Sequence, residues 1–370
     1  MSEPRAADLE VSHGESRESA NVGAVVALSD WIAMARGAFS PNTIRAWRAD
    51  WEIFSAFCHK YRLPVLPAAA KTVRDFVFEC VGLRKKPATI RRYVATIGRA
   101  HRAAGVPDPT TSEEVKLSLK EMSRGMAARQ RQARGLVWSE IAVFLEFEPR
   151  NLRDIRDRAL VAVAYDTMCR REELVSLLIE DIEPAEDGSG TVVIRRSKTD
   201  TTGEGATAYL SPLTMRLVAQ WLEGSGLRQS GPGKGQRTQV REASRSRAAD
   251  SPSPGEGRKP EQPGQSENTP VFARVVGRNG VGDPLTAQIV AAVLRKVGQW
   301  IGLDRKEWER ISGHSARVGA AQDLLAMNMD LPSVMQAGRW RDTRMPTRYG
   351  EKVLAGRGAM ARAAKAQGRA

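Results

Sequence analysis

Residues 311–325 read ISGHSARVGAAQDLL. A glycine-bearing start runs into an apolar helix, and His314 and Arg317 stand three residues apart where the two meet. Three readings are open for this pair: a surface couple, a metal site, or part of a cage for a phosphate. The rest of the chain has to decide between them.

A metal site needs partners. The four histidines (His13, His59, His101, His314) and three cysteines (Cys58, Cys80, Cys169) are scattered with no ligand-like spacing, which argues against zinc. The odd cysteine count and wide spacing fit buried thiols in a reducing compartment rather than disulfides. No glycine-rich loop ends in Lys-Ser or Lys-Thr, so the chain does not read as an NTPase. No run of 18 apolar residues is present, and the polar first 27 residues do not read as a signal peptide; the expected location is the cytoplasm.

Charge points to the partner. The 370 residues carry a formal net charge of +14. Residues 84–134 hold 13 Lys/Arg against 4 Asp/Glu, so +9 of the total falls in one segment. A solvated basic face is the ordinary alternative, but such clustering favours nucleic acid.

Length and pattern predict a mostly α protein in two domains. Residues 1–27 are expected to be disordered and 28–127 to form a helical domain. In SPNTIRAWRADWEIFSAFCHKY, Ser40 is the expected N-cap with Pro41 behind it, and Ile44, Trp47, Trp51, Phe54 and Phe57 recur at helical steps. Helices are also predicted over 70–82 and 111–127. In KPATIRRYVATIGRAHRAAG, Ile90, Val94, Ile97 and His101 turn inward and leave Arg91, Arg92, Arg99 and Arg102 largely outward. Residues 128–135 read as a basic linker.

Residues 136–352 are expected to form a larger, mainly helical domain with a small antiparallel β-sheet. Ser139 is its first candidate N-cap, a long helix breaks near Thr167, and GTVVIRRSKTD with ATAYLS predicts a hairpin. Residues 224–269, rich in Gly, Pro and Ser, read as a disordered insertion, and 353–370 as a tail or helix for subunit contact.

Within this domain the chemistry-bearing candidates are Arg170, Lys198, His314, Arg317, Trp340 and Tyr349. Singly, each has an ordinary structural role. Together, SGHSARVGAA followed by Asp323, then SVMQAGRW and Tyr349 nine residues past Trp340, with AYDTMCRREEL and RRSKT upstream, resemble the tyrosine site-specific recombinases. The resemblance runs from about Ser40 to Met360. It implies a nucleophilic Tyr349, a phosphate cage of Arg170, Arg317, His314 and Trp340, a general acid Lys198 and a supporting Glu173. It also implies DNA strand exchange through a 3′-phosphotyrosine, with no cofactor, by a homotetramer holding two near-palindromic duplex sites, two protomers on each. Expected DNA contacts are Arg91, Arg92 and Arg99, with Thr286 and Gln288 opening the helix in DPLTAQIVAAVLRKVG. An integrase of the same family, a type IB topoisomerase, or a DNA-binding relic without catalysis are the competing readings.

Overall fold

The computed structural model describes residues 29–126, 132–197, 203–227, 269–278 and 280–369. The chain divides into two units, residues 1–131 and 132–370, each with its own apolar core.

The first unit is helical: α1 (Pro41–Lys60), α2 (Ala70–Gly82), α3 (Pro87–Ala103) and α4 (Glu113–Gly125). The Ser40 side chain accepts from the Thr43 N–H, and Pro41 fills the first turn, where a missing N–H costs nothing. Ser112 caps α4 the same way on Val115. Phe54 and Phe57 of α1 meet Phe76 of α2 at ring-centroid distances of 5.2 Å each, and Ile90, Val94 and Ile97 of α3 close the core.

Trp47 and Trp51, expected on the buried face, are only half-buried. The position between them, Asp50, is the one that is fully inside. Its carboxylate accepts from Arg92 Nη2 (2.7 Å) and Thr96 Oγ1 (3.2 Å). Burial raises its pKa against the pull of Arg92, so the pair links α1 to α3 at an electrostatic cost.

The second unit is mainly helical around two small antiparallel sheets. It opens with α5 (Trp138–Glu146), α6 (Leu152–Asp166) and the short α7 (Arg171–Val175). The cap expected at Ser139 stands at Val137 instead. There Glu140 reaches back to accept the Val137 N–H at 3.2 Å, which sets the start two residues earlier. Helix α6 is enclosed on nearly all sides, with Ala159 to Ala164 all buried, and is capped by Asn151. The long apolar helix breaks after Asp166, as its sequence pattern predicts, and α7 restarts at Arg171.

Strands β2 (Gly190–Ile194) and β3 (Ala206–Leu210) pair antiparallel, with Val192 opposite Ala208. Alternate burial of Gly190, Val192 and Ile194 is the period-two signal of a half-buried strand. A third strand, β1 (Ile182–Pro184), joins β2, and a second hairpin, β4 (Ala273–Val276) with β5 (Gly280–Pro284), follows; neither is anticipated by the sequence reading. These strands are too short and too poor in alternating apolar residues to signal themselves.

Helix α8 (Pro212–Ser225) runs past the expected start of the insertion and ends at Gly226 in the left-handed conformation. Thr269 already accepts from the Ile179 N–H, so both expected edges of that segment are structured. Its interior, 228–268, lies outside the described residues.

The remaining helices are α9 (Ala287–Trp300), α10 (Arg305–Trp308), α11 (Ser315–Ala326), α12 (Leu331–Gly338), α13 (Arg344–Tyr349), α14 (Glu351–Arg357) and α15 (Ala359–Ala366). The expected boundary at 352/353 falls inside α14. The three cysteines are buried free thiols, and no described helix is long and apolar enough to cross a membrane.

One close crossing fixes α11. The extended stretch 132–137 runs over it, with the Leu136 N–H donating to Ser315 O at 2.9 Å. A Cβ at Gly319 would fall 1.7 Å from the Leu136 carbonyl oxygen, and one at Gly135 would lie 2.3 Å from Gln322 Oε1. Only glycine permits this approach.

Candidate active site

The turn between α6 and α7 is built to present Arg170. The Thr167 Oγ1–H donates to Val163 O (2.6 Å), ending α6, and Met168 takes a left-handed φ of 49°. Arg170 then sits in extended backbone as the N-cap of α7. Buried Glu173 grips it twice: Oε2 accepts the Arg170 N–H at 2.9 Å and Oε1 accepts from Arg170 Nη1 at 2.6 Å. Burial raises the Glu173 pKa, but its bonds to Arg170 and the Arg170 and Arg339 charges outweigh burial and hold it below the usual value. Glu173 therefore stays ionised and fixes the guanidinium in place.

Arg317, in the first turn of α11, is only 2% exposed. Its Nη1 donates to Met168 O at 2.5 Å and its Nη2 to Gly338 O. The guanidinium lies 4.4 Å from the Trp340 ring centroid, a cation–π contact. Burial, then the Arg170 and Arg339 charges, lowers its pKa to about 10, so it is still protonated at neutral pH.

His314 precedes α11, and its backbone N–H donates to Ser312 Oγ at 3.2 Å. The side chain reaches solvent, yet the atoms crowded around it strip enough water to lower its pKa. The Arg317, Arg171 and Arg170 charges lower it further, against Glu172. The imidazole is thus neutral at pH 7, with one N–H to donate.

Trp340 stands edge-on to Tyr349, with centroids 5.8 Å apart and planes at 70°. Gly338 makes room for it, since a Cβ there would lie 2.1 Å from the indole. Half-buried Tyr349 ends α13, and its carbonyl accepts from Gln322 Nε2 of α11 at 3.1 Å. Arg317, Trp340 and Tyr349 thus form one stack, and Arg170 with Glu173 joins it through the 167–170 turn. Lys198 lies outside the described residues.

The sequence reading missed Arg339. It is the left-handed C-cap of α12, with side-chain exposure of 11%. Nη1 donates to Thr167 O (2.8 Å), and Nη2 to Glu173 Oε2 (3.1 Å) and Met168 O (3.4 Å). In sequence an arginine beside Trp340 looks like any solvated cation. Asp323, the acidic residue that follows the SGHSARVGAA motif, has a structural role. Its Oδ2 accepts from the Trp138 N–H (2.6 Å) and the Tyr165 hydroxyl (2.5 Å), tying α5, α6 and α11 together.

The expected DNA contacts separate. In the first unit Arg91 is exposed and donates to Ser123 Oγ at 2.6 Å, while Arg92 serves Asp50. Arg99 is half-buried, its guanidinium 4.3 Å from the Trp47 centroid and 5.6 Å from that of Phe39. That is a correction: the aromatic stack turns Arg99 into a packing residue rather than an outward one. In the second unit Thr286 and Gln288 are exposed at the start of α9. Among the described residues no group of His, Cys, Asp and Glu is arranged to hold a metal ion.

Comparison with known proteins adds the lineage. The sequence pattern of the phage integrase family matches residues 136–353. The recombinase Cre of Escherichia phage P1 is 27% identical over 344 residues, 88% of this chain and 89% of Cre. An integrase/recombinase XerD homologue of Selenomonas ruminantium is 23% identical over 322 residues, 84% of this chain and 82% of the relative. Among solved structures, XerH recombinase bound to a palindromic difH substrate, in a post-cleavage complex, superposes with a TM-score of 0.58 at 18% identity. That match covers 90% of this chain and 84% of XerH.

Proposed function

The chain belongs to the phage integrase family and is a tyrosine recombinase, and we propose that it cuts and rejoins duplex DNA at a short, near-palindromic site through a 3′-phosphotyrosine. The observation that carries this reading is the stack of a buried guanidinium, an indole and a phenol: Arg317, Trp340 and Tyr349. A phenol packed on an indole that also covers a fixed guanidinium suits phosphoryl transfer.

In this scheme the Tyr349 oxygen attacks the phosphorus, the bond to the 5′-oxygen breaks, and the phosphate stays on tyrosine. Arg170 and Arg317 grip the non-bridging oxygens with planar forks that a lysine cannot imitate. Neutral His314 and the Trp340 N–H add donors, and Glu173 holds Arg170 in register. Lys198 protonates the leaving 5′-oxygen, a role that rests on its place in RRSKT. Attack by another strand's 5′-hydroxyl reverses the step. Bond energy is conserved, so ATP is not required, and the cationic side chains supply the charge that a metal supplies in other phosphoryl-transfer sites. In this proposal two protomers bind each site and two sites pair in a homotetramer, an assembly that rests on the family resemblance of the sequence motifs. Exposed Arg91, with Thr286 and Gln288, contacts DNA.

The test is to incubate the protein with its native flanking DNA, quench with detergent and look for a covalent protein–DNA species, with and without a chelator. The adduct is expected in both and absent from Tyr349→Phe. An adduct from Tyr349→Phe would overturn the assignment of the nucleophile.

A further inference from the structure

We propose that Arg339 is a positioning residue for strand cleavage: it holds Arg170 through Glu173 and braces the Thr167–Met168 turn on which Arg317 also rests. The role depends on the function proposed above, because it concerns the same phosphate cage.

Three observations carry it. The first is backbone strain. Arg339 (φ 54°) and Met168 (φ 49°) are both non-glycine residues in the left-handed region, and Arg339 Nη2 donates to Met168 O. Glycine would adopt either conformation freely, so a side chain there is retained against a backbone cost.

The second is burial. The guanidinium is almost enclosed, and its Nε has no hydrogen-bond partner. A buried cation left partly unsatisfied is expensive, and a surface cap would avoid it.

The third is connectivity. Glu173 divides its oxygens, Oε1 to Arg170 Nη1 and Oε2 to both the Arg170 N–H and Arg339. Met168 O likewise accepts from both Arg317 and Arg339. Arg339 therefore touches the support of each cage arginine, on opposite sides of one turn. Without it, Glu173 gains freedom to rotate about its remaining partner, and the turn loses the donors to Thr167 O and Met168 O. Both guanidiniums then drift from the positions that the transition state needs.

Arg339→Gly is the informative variant, since glycine relieves the backbone and deletes only the side chain. The covalent adduct is expected to form about 10²-fold more slowly, the scale on which small misplacements act, while DNA affinity stays within about twofold. Arg339→Lys keeps the charge but not the fork and should remain slow. The deciding readout is a double-mutant cycle. In an Arg170→Lys background, where the fork that Glu173 orients is already gone and only the support of Arg317 remains to be lost, Arg339→Gly should cost about tenfold more rather than the full 10²-fold. Full loss in that background, or a loss that merely follows a fall in the folded fraction by thermal unfolding, would overturn the role. A normal adduct rate from Arg339→Gly overturns this role alone, whereas no adduct from the unsubstituted chain overturns the proposed function and this role with it.

Discussion

Arginine is used in two opposite ways in this molecule. On α3 of the first unit, Arg91, Arg92 and Arg102 are exposed, and each has one main partner: Ser123, Asp50 and Asp108. Around the 167–170 turn of the second unit, Arg170, Arg317 and Arg339 are sunk into the protein: Glu173 grips Arg170 twice, and Arg317 and Arg339 are each held by several groups. Exposed guanidiniums keep their water, cost little and act over distance on any polyanion. Buried ones have lost their water and repel one another, as the depressed pKa of Arg317 records. The protein sustains that arrangement only because Glu173 and a set of backbone carbonyls are fixed around it. On the proposed function, the difference separates attraction to DNA from action on one phosphate.

The largest expected effect tests the buried set. Arg170→Ala or Arg317→Ala should slow covalent cleavage by about 10²–10³-fold, the usual loss for one transition-state donor, with DNA retained in a gel-shift assay. Equal losses of binding and cleavage would erase the contrast. Gly319→Ala should destabilise the second unit by about 3 kcal/mol, since the added methyl meets the Leu136 carbonyl. Chemical denaturation measures this, and unchanged stability would mean that the crossing adapts.

A smaller effect lies in the first unit. Buried His101 accepts the Ala68 N–H at Nε2 (2.8 Å) and donates from Nδ1 to Ile97 O (2.8 Å), which requires the neutral ring. Burial lowers its pKa against the Ile97 bond and the Asp108 charge. The unfolded chain takes up the proton near pH 6.5 while the folded one resists, so stability should be level above that pH and fall below it. Urea titrations at pH 7.5 and pH 5.5 check the sign, and His101→Gln should flatten the response. The smallest effect is on the exposed set. Arg91→Ala should lower the slope of log affinity against log salt by about 0.9 and leave the cleavage rate of bound DNA unchanged.

What the sequence discloses divides along the same line. Periodicity exposes helices such as α1 and α3, because a core face repeats every three or four residues. Six candidate chemical residues stand out because their spacing resembles a family. Asp50, Arg99 and Arg339 are not, since a charged residue in sequence gives no sign of whether it is solvated, stacked or buried. Asp50 sits between two tryptophans and takes the inward position from both, because Arg92 and Thr96 are waiting for it. Arg339 acquires its place only when chain separated by 166 residues returns to Glu173. The small strands fail for another reason: they are fixed by partners rather than by their own pattern.

The stack at the site has an optical consequence. Trp340 packs against a guanidinium 4.4 Å from its ring centroid and a phenol 5.8 Å away. If Tyr349 is the nucleophile proposed above, the Trp340 emission should change when that phenol moves or forms a new bond. With the other seven tryptophans replaced by phenylalanine, Trp340 becomes a built-in fluorophore. Stopped-flow traces from such a chain would time any movement of the Tyr349 phenol without an attached label.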